Sequence, residues 1–567
     1  MDLTREETRS GPGAWTPCSR GMALLLALYV LLLGWEAWRL GVTFDEPSHL
    51  AAGYMYWRGQ DVLSPSDTPP LMRIVSGWVP RALHAPLRQD TFGWRIQGSF
   101  DIGREILEAS GAEQKHRLIF LMRLCFLIFP ATIVWLVWSW GRELFGERIA
   151  LLLAACTALE PTLLGHGPLV KSDVAAACGC LLFSYTAWRY WRRPDLRRVI
   201  VMTLGLLAAV LAKFNLLALI PVAVAVVLWR GGSARRRLAL AAMVLGAVYA
   251  GLLAAYQFQA RAISKNELDE MKTEGWSRGE VRTAEILGKL PWPPQFIRGL
   301  RYIGLANRKE GFPAYMLGHK IQYAAPLYFP LAWAVKFPIA LQLLALAGMG
   351  ASALRAARGQ AGAEDAFVWG PPALLMALAL PSHIHIGFRH VLPAVPFVIL
   401  GAGFGLARWG RRRAAKAATA ACVVWLGVAS LGIYPQGISY FNEWAGGPQN
   451  GWRYLADSNI DWGQNLPELA RWVEEHRIGK IKLYYFGLDI PEHYIPAGKV
   501  EREAAPWAPE WEKELQLKPQ PGWYAISVNS LLGYFFSPAY QNYFAYFKGR
   551  RPDAKAGYSI FLYHVGG

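Results

Sequence analysis

The sequence predicts a mainly α-helical membrane protein, a polytopic bundle of about eleven transmembrane helices followed by a small α+β domain. Hydrophobic residues make up 53% of the 567 residues and charged residues only 18%, so the chain is far more apolar than an average soluble domain. The apolar residues also form long blocks that suit helices of roughly 20 residues, the length that crosses the hydrocarbon of a bilayer.

The predicted spans follow one another through residues 1–435. The first apolar block is followed by many others, so we expect a retained span and not a cleaved signal peptide. The spans are 22–40, 117–140, 148–165, 173–191, 197–213, 215–230, 238–258, 326–350, 366–382, 391–408 and 417–435.

Arginines in alternate short turns set the predicted orientation. By the positive-inside rule these turns are cytoplasmic, which makes the N-terminus cytoplasmic and the C-terminal domain extracytoplasmic. We therefore expect a multi-pass membrane protein with this orientation. The basic turns are 142–148, 189–198, 230–237, 355–358 and 408–416.

The formal net charge of +18 belongs to the membrane portion. Residues 436–567 carry 13 Lys and Arg against 14 Asp and Glu, so this tail is nearly neutral. The basic character therefore indicates topology and contact with an anionic lipid bilayer, and no nucleic-acid partner is expected.

Three segments on the predicted outward side are too long to be simple connectors: 41–116, 259–325 and 436–567. We expect function there. The middle segment is rich in Pro and aromatic residues, which predicts an irregular segment on the membrane surface. The tail has strand-like runs at 482–486, 523–528 and 558–563 and a helical stretch at 466–476, so residues 1–435 and 436–567 are predicted as two domains.

Two adjacent acids, Asp45 and Glu46, follow the first span. Pro47 suits the first turn of a helix, so both carboxylates should lie at or just before a helix N-terminus, where the helix dipole favours their ionised form. Such a carboxylate can take a proton from an acceptor hydroxyl, or bind a cation or an amine. The alternative is an ordinary acidic N-cap.

The outward turn before the fourth predicted span contains Lys171 and Asp173. Asp173 begins an apolar helix, and it is either a cap or a functional group that faces the same cavity as Asp45. Lys213 lies at the next outward turn. It can extend to lipid headgroups or hold a phosphate.

Three histidines, His383, His385 and His390, lie in the turn before the tenth span together with Arg389. His383 and His385 alternate as on a strand and are weak candidates for a divalent metal site, because no Cys or nearby acid completes it. We therefore assign no metal or cofactor firmly, although a divalent metal is possible. Arg389 is the better candidate, as a charged donor to a phosphate, and His390 joins it as a candidate binding residue.

Together these motifs resemble the GT-C superfamily of glycosyltransferases, in its protein O-mannosyltransferase-like and aminoarabinose-transferase-like branch. Their order and shared outward placement make the combination fairly specific. The segment 440–464 looks like the tail of a bacterial subgroup of that family. The motifs are the run 44–54, Pro69-Pro70-Leu71, Asp173, Lys213-Phe214 and the run 387–393.

This resemblance implies transfer of a sugar from a polyprenyl-phosphate carrier to an acceptor at the outer face of the inner membrane. By the likeness, Asp45 is the catalytic base with Glu46 beside it, and Asp173 positions a substrate. Lys213 and Arg389 neutralise the leaving phosphate. One departure is Thr68, which stands where family members usually carry a basic residue or His, so part of that site must differ or be supplied elsewhere.

The predicted function is therefore that of a membrane glycosyltransferase that acts by an inverting single displacement, with a polyprenyl-phosphate-linked sugar as donor and an unidentified protein, lipid or glycan as acceptor. The alternative is a transporter or flippase for a lipid-linked saccharide, which would bind the same headgroup and catalyse nothing. The absence of paired broken helices in the sequence favours the enzyme. In the tail, Asp457, Asn459, Asp461 and Gln464 either line an acceptor groove or serve as turn and cap residues.

Overall fold

The computed structural model describes residues 16–60, 63, 67–308, 311–321, 325–503 and 516–566. Most of these residues are helical, and a five-stranded sheet lies near the C-terminus. The predicted fold class, a mainly α-helical bundle with a small α+β domain, is confirmed.

The part of the chain up to residue 255 contains thirteen α-helices in its described residues. One of them, the helix that begins at Ser99, is broken at Gly111, whose φ of 68° is not helical. The helices are α1 (Pro17–Arg39), α2 (Glu46–Tyr56), α3 (Leu71–Ser76), α4 (Trp78–Ala82), α5 (Phe92–Ile96), α6 (Ser99–Phe126), α7 (Ile128–Phe145), α8 (Glu147–Ala158), α9 (Pro161–His166), α10 (Ser172–Arg192), α11 (Leu196–Ala212), α12 (Leu219–Arg230) and α13 (Ala234–Ala255).

The middle segment and the remaining part of the bundle follow. Two short strands in the middle segment form an antiparallel hairpin, β1 (Ala314–Met316) with β2 (His319–Ile321). The helices are α14 (Lys265–Thr273), α15 (Arg278–Leu287), α16 (Pro294–Ala306), α17 (Tyr328–Lys336), α18 (Ile339–Ala357), α19 (Ala363–Ala379), α20 (Val395–Trp409) and α21 (Arg413–Ile433).

Each of the eleven predicted spans falls on one of these helices or on two consecutive ones. Within the described residues, six helical segments are long and apolar enough by themselves to cross a membrane. The other predicted spans fall on helices that are shorter or less apolar. The six segments are Pro17–Arg39, Ser99–Phe145, Ala234–Ala255, Ile339–Ala357, Leu392–Trp409 and Arg413–Ile433.

Helix α10 lies at the centre of the bundle, and nearly all of its residues are buried. Small residues at 175–180 let α11 approach it closely. A Cβ atom on Gly179 would lie 2.6 Å from the Cα of Ala209, closer than two such atoms can approach, so this contact requires glycine. The pairing brings the N-terminal end of α10, with Asp173, next to the C-terminal end of α11, which is followed by Lys213.

Helix α2 is buried along its whole length, with Pro47 in its first turn as predicted. It rests on α6. A Cβ atom on Gly103 of α6 would lie 1.9 Å from the carbonyl oxygen of Pro47, so the backbones of the two helices are in direct contact there. This contact fixes the start of α2, and therefore the position of Asp45 immediately before it.

The segment 259–325 is not irregular as predicted, because it contains the helices α14 to α16. Two of them begin with a capping box, in which a Ser accepts the backbone N–H of a Glu three residues later while the Glu side chain accepts the N–H of the Ser. The pairs are Ser264 with Glu267 and Ser277 with Glu280. The Ser-x-x-Glu spacing in the sequence is typical of a helix N-terminus. The prediction of an irregular segment was wrong because it relied on the Pro and Trp residues alone.

The tail contains the five-stranded sheet, in the order β4-β3-β5-β7-β6. Strand β3 is parallel to both of its neighbours, whereas β7 is antiparallel to β5 and to β6. The predicted strands and the predicted helix are all found. The elements are α22 (Leu466–Glu475), β3 (Ile481–Tyr484), β4 (Val500–Arg502), β5 (Gly522–Ser527), α23 (Val528–Leu532), α24 (Ala545–Lys548), β6 (Ala554–Ala556) and β7 (Ile560–Val565).

Residues 436–465 link the bundle to the sheet through short turns, and they pair directly with the segment after α1. The backbone N–H of Gly41 donates to the carbonyl of Gln464 at 3.0 Å, and that of Phe44 donates to the carbonyl of Trp462 at 2.9 Å. This linking segment contacts both parts of the chain. The division at residues 435 and 436 therefore stays a prediction.

Candidate active site

Five predicted residues from four separate connections converge at one end of the bundle. Arg389 Nη1 lies 3.4 Å from Asp45 Oδ2 and 3.2 Å from Asp173 Oδ2. The Lys213 ammonium donates to Asp173 Oδ1 at 2.5 Å, and the Lys171 ammonium donates to Asp45 Oδ2. Three cations thus share these two carboxylates, and ammonium and guanidinium groups of this kind bind phosphate.

Asp45 is the more accessible of the two acids, since 14% of its side chain is exposed against 1% for Asp173. It occupies the N-cap position of α2, but its side chain makes no capping hydrogen bond. The carboxylate points instead toward Lys171 and Arg389. Burial raises the pKa of Asp45, but the charges of Lys171 and Arg389 outweigh it and hold the pKa below its ordinary value.

Asp173 is enclosed and holds two cations in place. Its two carboxylate oxygens accept hydrogen bonds from Lys213 and from Arg389 respectively. Because its side chain is only 1% exposed, a substrate has little access to it. Its position suits a residue that orients Lys213 and Arg389.

The sequence predicts that Glu46 acts beside Asp45 in the reaction. In the structure its carboxylate points away from this cluster and forms a fully buried ion pair. Arg123 donates to its two oxygens at 2.8 Å and 2.6 Å, and the backbone N–H and hydroxyl of Thr43 donate to it as well. The N–H of Val170 makes a further contact at 3.3 Å. Glu46 therefore connects α6 to the two segments that carry Asp45 and Lys171.

Three histidines surround the charged cluster in uncharged form. Burial is the main cause that lowers the pKa of His49 and of His166 to about 3, and it lowers the pKa of His390 well below its ordinary value. Nearby lysines act in the same direction on all three. Within the described residues, the buried atoms His49 Nε2 and His390 Nε2 have no hydrogen-bond partner.

The weak metal candidates lie elsewhere. His385 packs against Tyr328 and Phe329, with ring centroids 5.0 Å and 5.7 Å away, and its Nε2 accepts the N–H of Ala325 at 3.4 Å. That nitrogen is therefore occupied, and His383 gains no partner ligand from it. In the part of the chain that the structure describes, no group of three or more His, Cys, Asp or Glu side chains is placed to hold a metal ion.

The tail contributes contacts to Arg389 that the sequence did not predict. Arg389 Nε donates to Ser458 Oγ at 2.9 Å, and its guanidinium carbon lies 4.4 Å from the ring centre of Trp462. The Lys171 ammonium lies 5.7 Å from the same ring. Trp462 therefore stabilises two of the three cations through its aromatic face.

The four polar residues of the linking turn separate into two kinds. Asn459, Asp461 and Gln464 are fully buried and make several hydrogen bonds inside the turn and to its neighbours, as cap and turn residues do. Asp457 differs. It adopts a φ of 58°, accepts the Tyr534 hydroxyl at 3.0 Å and lies close enough to Arg389 to interact electrostatically.

Burial raises the pKa of Asp457 to about 6, against the opposing effect of Arg389. Tyr534, which comes from the turn after α23, fixes its orientation. Asp457 therefore brings a third carboxyl group, supplied by the tail, to the edge of the cluster. No pattern in the sequence distinguished it from the three cap residues beside it.

A basic group is also found near the unusual Thr68. Arg73, in the first turn of α3, is 4% exposed and its Nη2 donates to the carbonyl of Thr68 at 3.3 Å. Its charge acts on His49, next to Asp45, and on Asp67, whose pKa is raised by burial. The resemblance implies a basic residue or His at position 68, where this chain has Thr68. Arg73 places a positive charge beside that residue.

The comparisons with known proteins agree with the motifs. Residues 115–256 match the family model described as dolichyl-phosphate-mannose-protein mannosyltransferase. No curated protein matches the chain.

Solved structures of two proteins are similar to the chain at low identity. ArnT from Cupriavidus metallidurans bound to undecaprenyl phosphate has 12% identity and a TM-score of 0.44, with 95% of this chain and 97% of that chain covered. Its apo state has 13% identity and a TM-score of 0.45, with 96% and 98% covered. The Archaeoglobus fulgidus oligosaccharyltransferase in the apo form has 12% identity and a TM-score of 0.41, with 91% and 71% covered.

These TM-scores are too low to support an argument, so the assignment rests on the family match and not on the shape. That match includes α10 and α11, which carry Asp173 and lead to Lys213. The match over residues 115–256 agrees with the resemblance predicted from the motifs, and it covers about a quarter of the chain.

Proposed function

We propose that this glycosyltransferase transfers a sugar from a polyprenyl-phosphate carrier to an acceptor hydroxyl or amine, with inversion at the anomeric carbon. The observation that carries the proposal is the convergence of Asp45 with Lys171, Lys213 and Arg389. One partly exposed carboxylate and three cations lie within a single connected cluster. A base on one side and cations on the other are what displacement of a lipid phosphate requires.

In the proposed step the acceptor oxygen or nitrogen attacks the anomeric carbon. The bond from that carbon to the phosphate oxygen breaks, and its electron pair leaves with the carrier phosphate. The acceptor proton passes to a carboxylate oxygen of Asp45. Because Asp45 stays ionised in the free protein, it is in the correct state to receive this proton.

Donor binding should make Asp45 a stronger base. In the free protein Lys171 and Arg389 hold the Asp45 carboxylate and lower its pKa. A phosphate that enters the cluster would compete for the same two cations, and each contact it takes weakens the contact to Asp45. The acceptor would thus meet a more basic carboxylate only when the donor is present.

The other predicted residues take supporting roles in this proposal. Lys213 and Arg389 stabilise the charge of the departing phosphate, and Asp173 orients both of them. His390, an uncharged ring that interacts with Lys213 and Arg389, is a candidate to contact the phosphate that these cations bind. Glu46 supports the segment that carries Asp45 by holding Arg123.

The orientation of the site follows from the helices that carry it. Asp173 begins α10, and Arg192 ends the same helix. Arg389 precedes α20, and Arg408 lies in the last turn of that helix. The cluster and the arginine-rich turns therefore occupy opposite ends of the same helices, so the positive-inside rule supports an active site on the extracytoplasmic face.

The test is a transfer reaction with purified full-length protein. Polyprenyl-phosphate sugars with a labelled sugar are incubated with protein, lipid and glycan acceptors, and the products are analysed for their anomeric configuration. We expect transfer from at least one donor, with inversion. Retention of the donor configuration would contradict the single displacement, and donor translocation across proteoliposomes without any transfer would establish the flippase in its place.

A further inference from the structure

A large basic groove lies on the tail, formed by the turn before Leu455 and by the segment from α24 to β7. Its volume is about 1040 Å³. Five cations line it and no carboxylate does, among the residues that the structure describes. The tail as a whole is nearly neutral, so this concentration of charge is local. The five cations are Arg453, Lys548, Arg550, Arg551 and Lys555.

The positive charge of the groove is not neutralised by the protein. Lys548 and Lys555 donate to neutral oxygens, the carbonyl of Gln541 and the side chain of Gln449. No described carboxylate forms an ion pair with Arg453 or Arg551, and both are exposed. Burial lowers the pKa of Lys555, and the nearby charges of Arg453 and Arg551 lower it further.

One acid, Asp553, lies in this stretch of chain but does not line the groove. Its carboxylate accepts the backbone N–H of His564 on β7 at 2.8 Å. Asp553 lines a neighbouring cavity together with Arg550 and Arg551. Within the groove itself, the described lining residues include five cations and no carboxylate.

The groove also has features that suit a saccharide. Trp452 and Tyr558 are half-buried and line it, whereas Phe561 is buried and packs edge to face against Trp452 with ring centroids 5.8 Å apart. The exposed parts of Trp452 and Tyr558 can pack against the C–H faces of sugar rings, while the amides of Gln449 and Asn450 can bind hydroxyl groups. The volume is at the upper end of the range of small-molecule sites, so it has room for several sugar units.

We propose that this groove binds an anionic oligosaccharide, one that carries carboxylate or phosphate groups, as the acceptor or as part of it. The choice of a saccharide rests on the proposed function, which places the tail on the face where envelope glycans occur. Arg453 and Arg551 are exposed and have no acidic partner among the described residues, so both are open to the anionic ligand.

Binding is measured with the full-length protein in detergent and three probes of similar length. These are an octamer of galacturonic acid, a phosphorylated mannan oligosaccharide and neutral maltooctaose. We expect the wild type to bind one or both charged probes and to bind maltooctaose at least tenfold more weakly. The charged probe that binds identifies the anion.

The variant R453A/R551A should weaken binding of the charged probe by roughly tenfold or more, because it removes two charge-assisted contacts. The control R471A/K480A also removes two positive charges from the tail, but from residues already paired with Glu468 and Glu501, so it should bind within twofold of wild type. If the double variant unfolds, R551A alone provides the readout.

Three results would overturn the proposal: no binding of either charged probe, equal binding of maltooctaose, or unchanged binding by the groove variant. Tighter binding of a single-stranded DNA of equal charge would also overturn it, in favour of a general polyanion surface. The variant D45N should bind the charged probe like wild type. If the protein binds the charged probe but transfers no sugar, the proposed reaction is contradicted and the proposed role of the groove is not.

Discussion

Arg389 places one guanidinium nitrogen 3.4 Å from Asp45 Oδ2, although 344 positions separate the two residues in the sequence. The same nitrogen lies 3.2 Å from Asp173 Oδ2. Arg389 is thus the one side chain of the cluster that joins the accessible acid to the enclosed one. Its second contact surface, the ring of Trp462, comes from the tail.

Replacing Arg389 by lysine should therefore reduce transfer by roughly tenfold or more despite the retained charge. A lysine ammonium cannot reach both carboxylates and Ser458 in the planar geometry that the guanidinium provides. The measurement is kcat and KM for the donor, with the exposed Arg88→Lys as control. Wild-type kinetics in Arg389→Lys would show that the bridge has no role in the reaction.

The pH dependence of the reaction should reveal the pKa of Asp45. Its pKa is held below the ordinary value, so the base is ionised above that pKa and activity is lost only as the pH falls through it. Lys171→Gln removes a main cause of the lowered pKa. The acidic limb of kcat/KM should then move to higher pH.

The matched control for this profile is Lys480→Gln, which removes an exposed lysine paired with Glu501 on the sheet. Its acidic limb should coincide with that of the wild type. If the acidic limb of Lys171→Gln stays at the wild-type pH, the pKa seen in the profile does not belong to Asp45.

Glu46→Gln should affect stability more than chemistry. The substitution leaves the Arg123 guanidinium buried and without its anion, which costs about 3–5 kcal/mol for a buried pair. We expect a large fall in Tm in detergent, while kcat well below that Tm stays within a few-fold of wild type. The control Glu468→Gln breaks a partly exposed pair with Arg471 and should leave the Tm nearly unchanged.

If Glu46→Gln keeps the wild-type Tm and loses transfer, Glu46 acts in the reaction as the sequence predicted. The comparison with Asp45→Asn is informative because the two residues are adjacent. The structure predicts opposite outcomes for them, with loss of activity in one and loss of stability in the other.

The attachment of the tail depends on a second buried ion pair. Lys115 Nζ lies 2.6 Å from Asp489 Oδ1, and the other oxygen of Asp489 accepts the N–H of Val42 and the hydroxyl of Tyr494. Asp489→Asn should loosen the tail from α6 and increase its cleavage in limited proteolysis. Glu501→Gln, in an exposed pair, is the control, and equal resistance of both variants would show that the pair does not hold the tail.

Much of the site could be predicted because its residues stand at the ends of apolar blocks. Asp45, Asp173, Lys213 and Arg389 each follow or precede a predicted span on the same predicted side, so their approximate shared location followed from topology. Their pairing could not be predicted. It depends on close helix contacts such as Gly179 against Ala209, which sequence spacing does not reveal.

Glu46 shows a further limit of the sequence. Neighbouring residues at the start of a helix point in directions about 100° apart, and nothing local indicates which one faces a cavity. The partner that decides the question is Arg123, on a helix 77 positions away. The role of the linking turn was hidden in the same way, since Trp462 reaches the cluster only through tertiary packing.

The central claim is that Asp45 takes the acceptor proton, and single-turnover transfer by Asp45→Asn tests it most directly. With donor already bound, we expect the transfer rate to fall by about 10²–10⁴-fold while donor affinity is retained or increased, because the removed base leaves the cations free for phosphate. Asp90→Asn, which breaks an exposed pair with Arg88, should transfer at the wild-type rate. A wild-type transfer rate in Asp45→Asn would contradict the account.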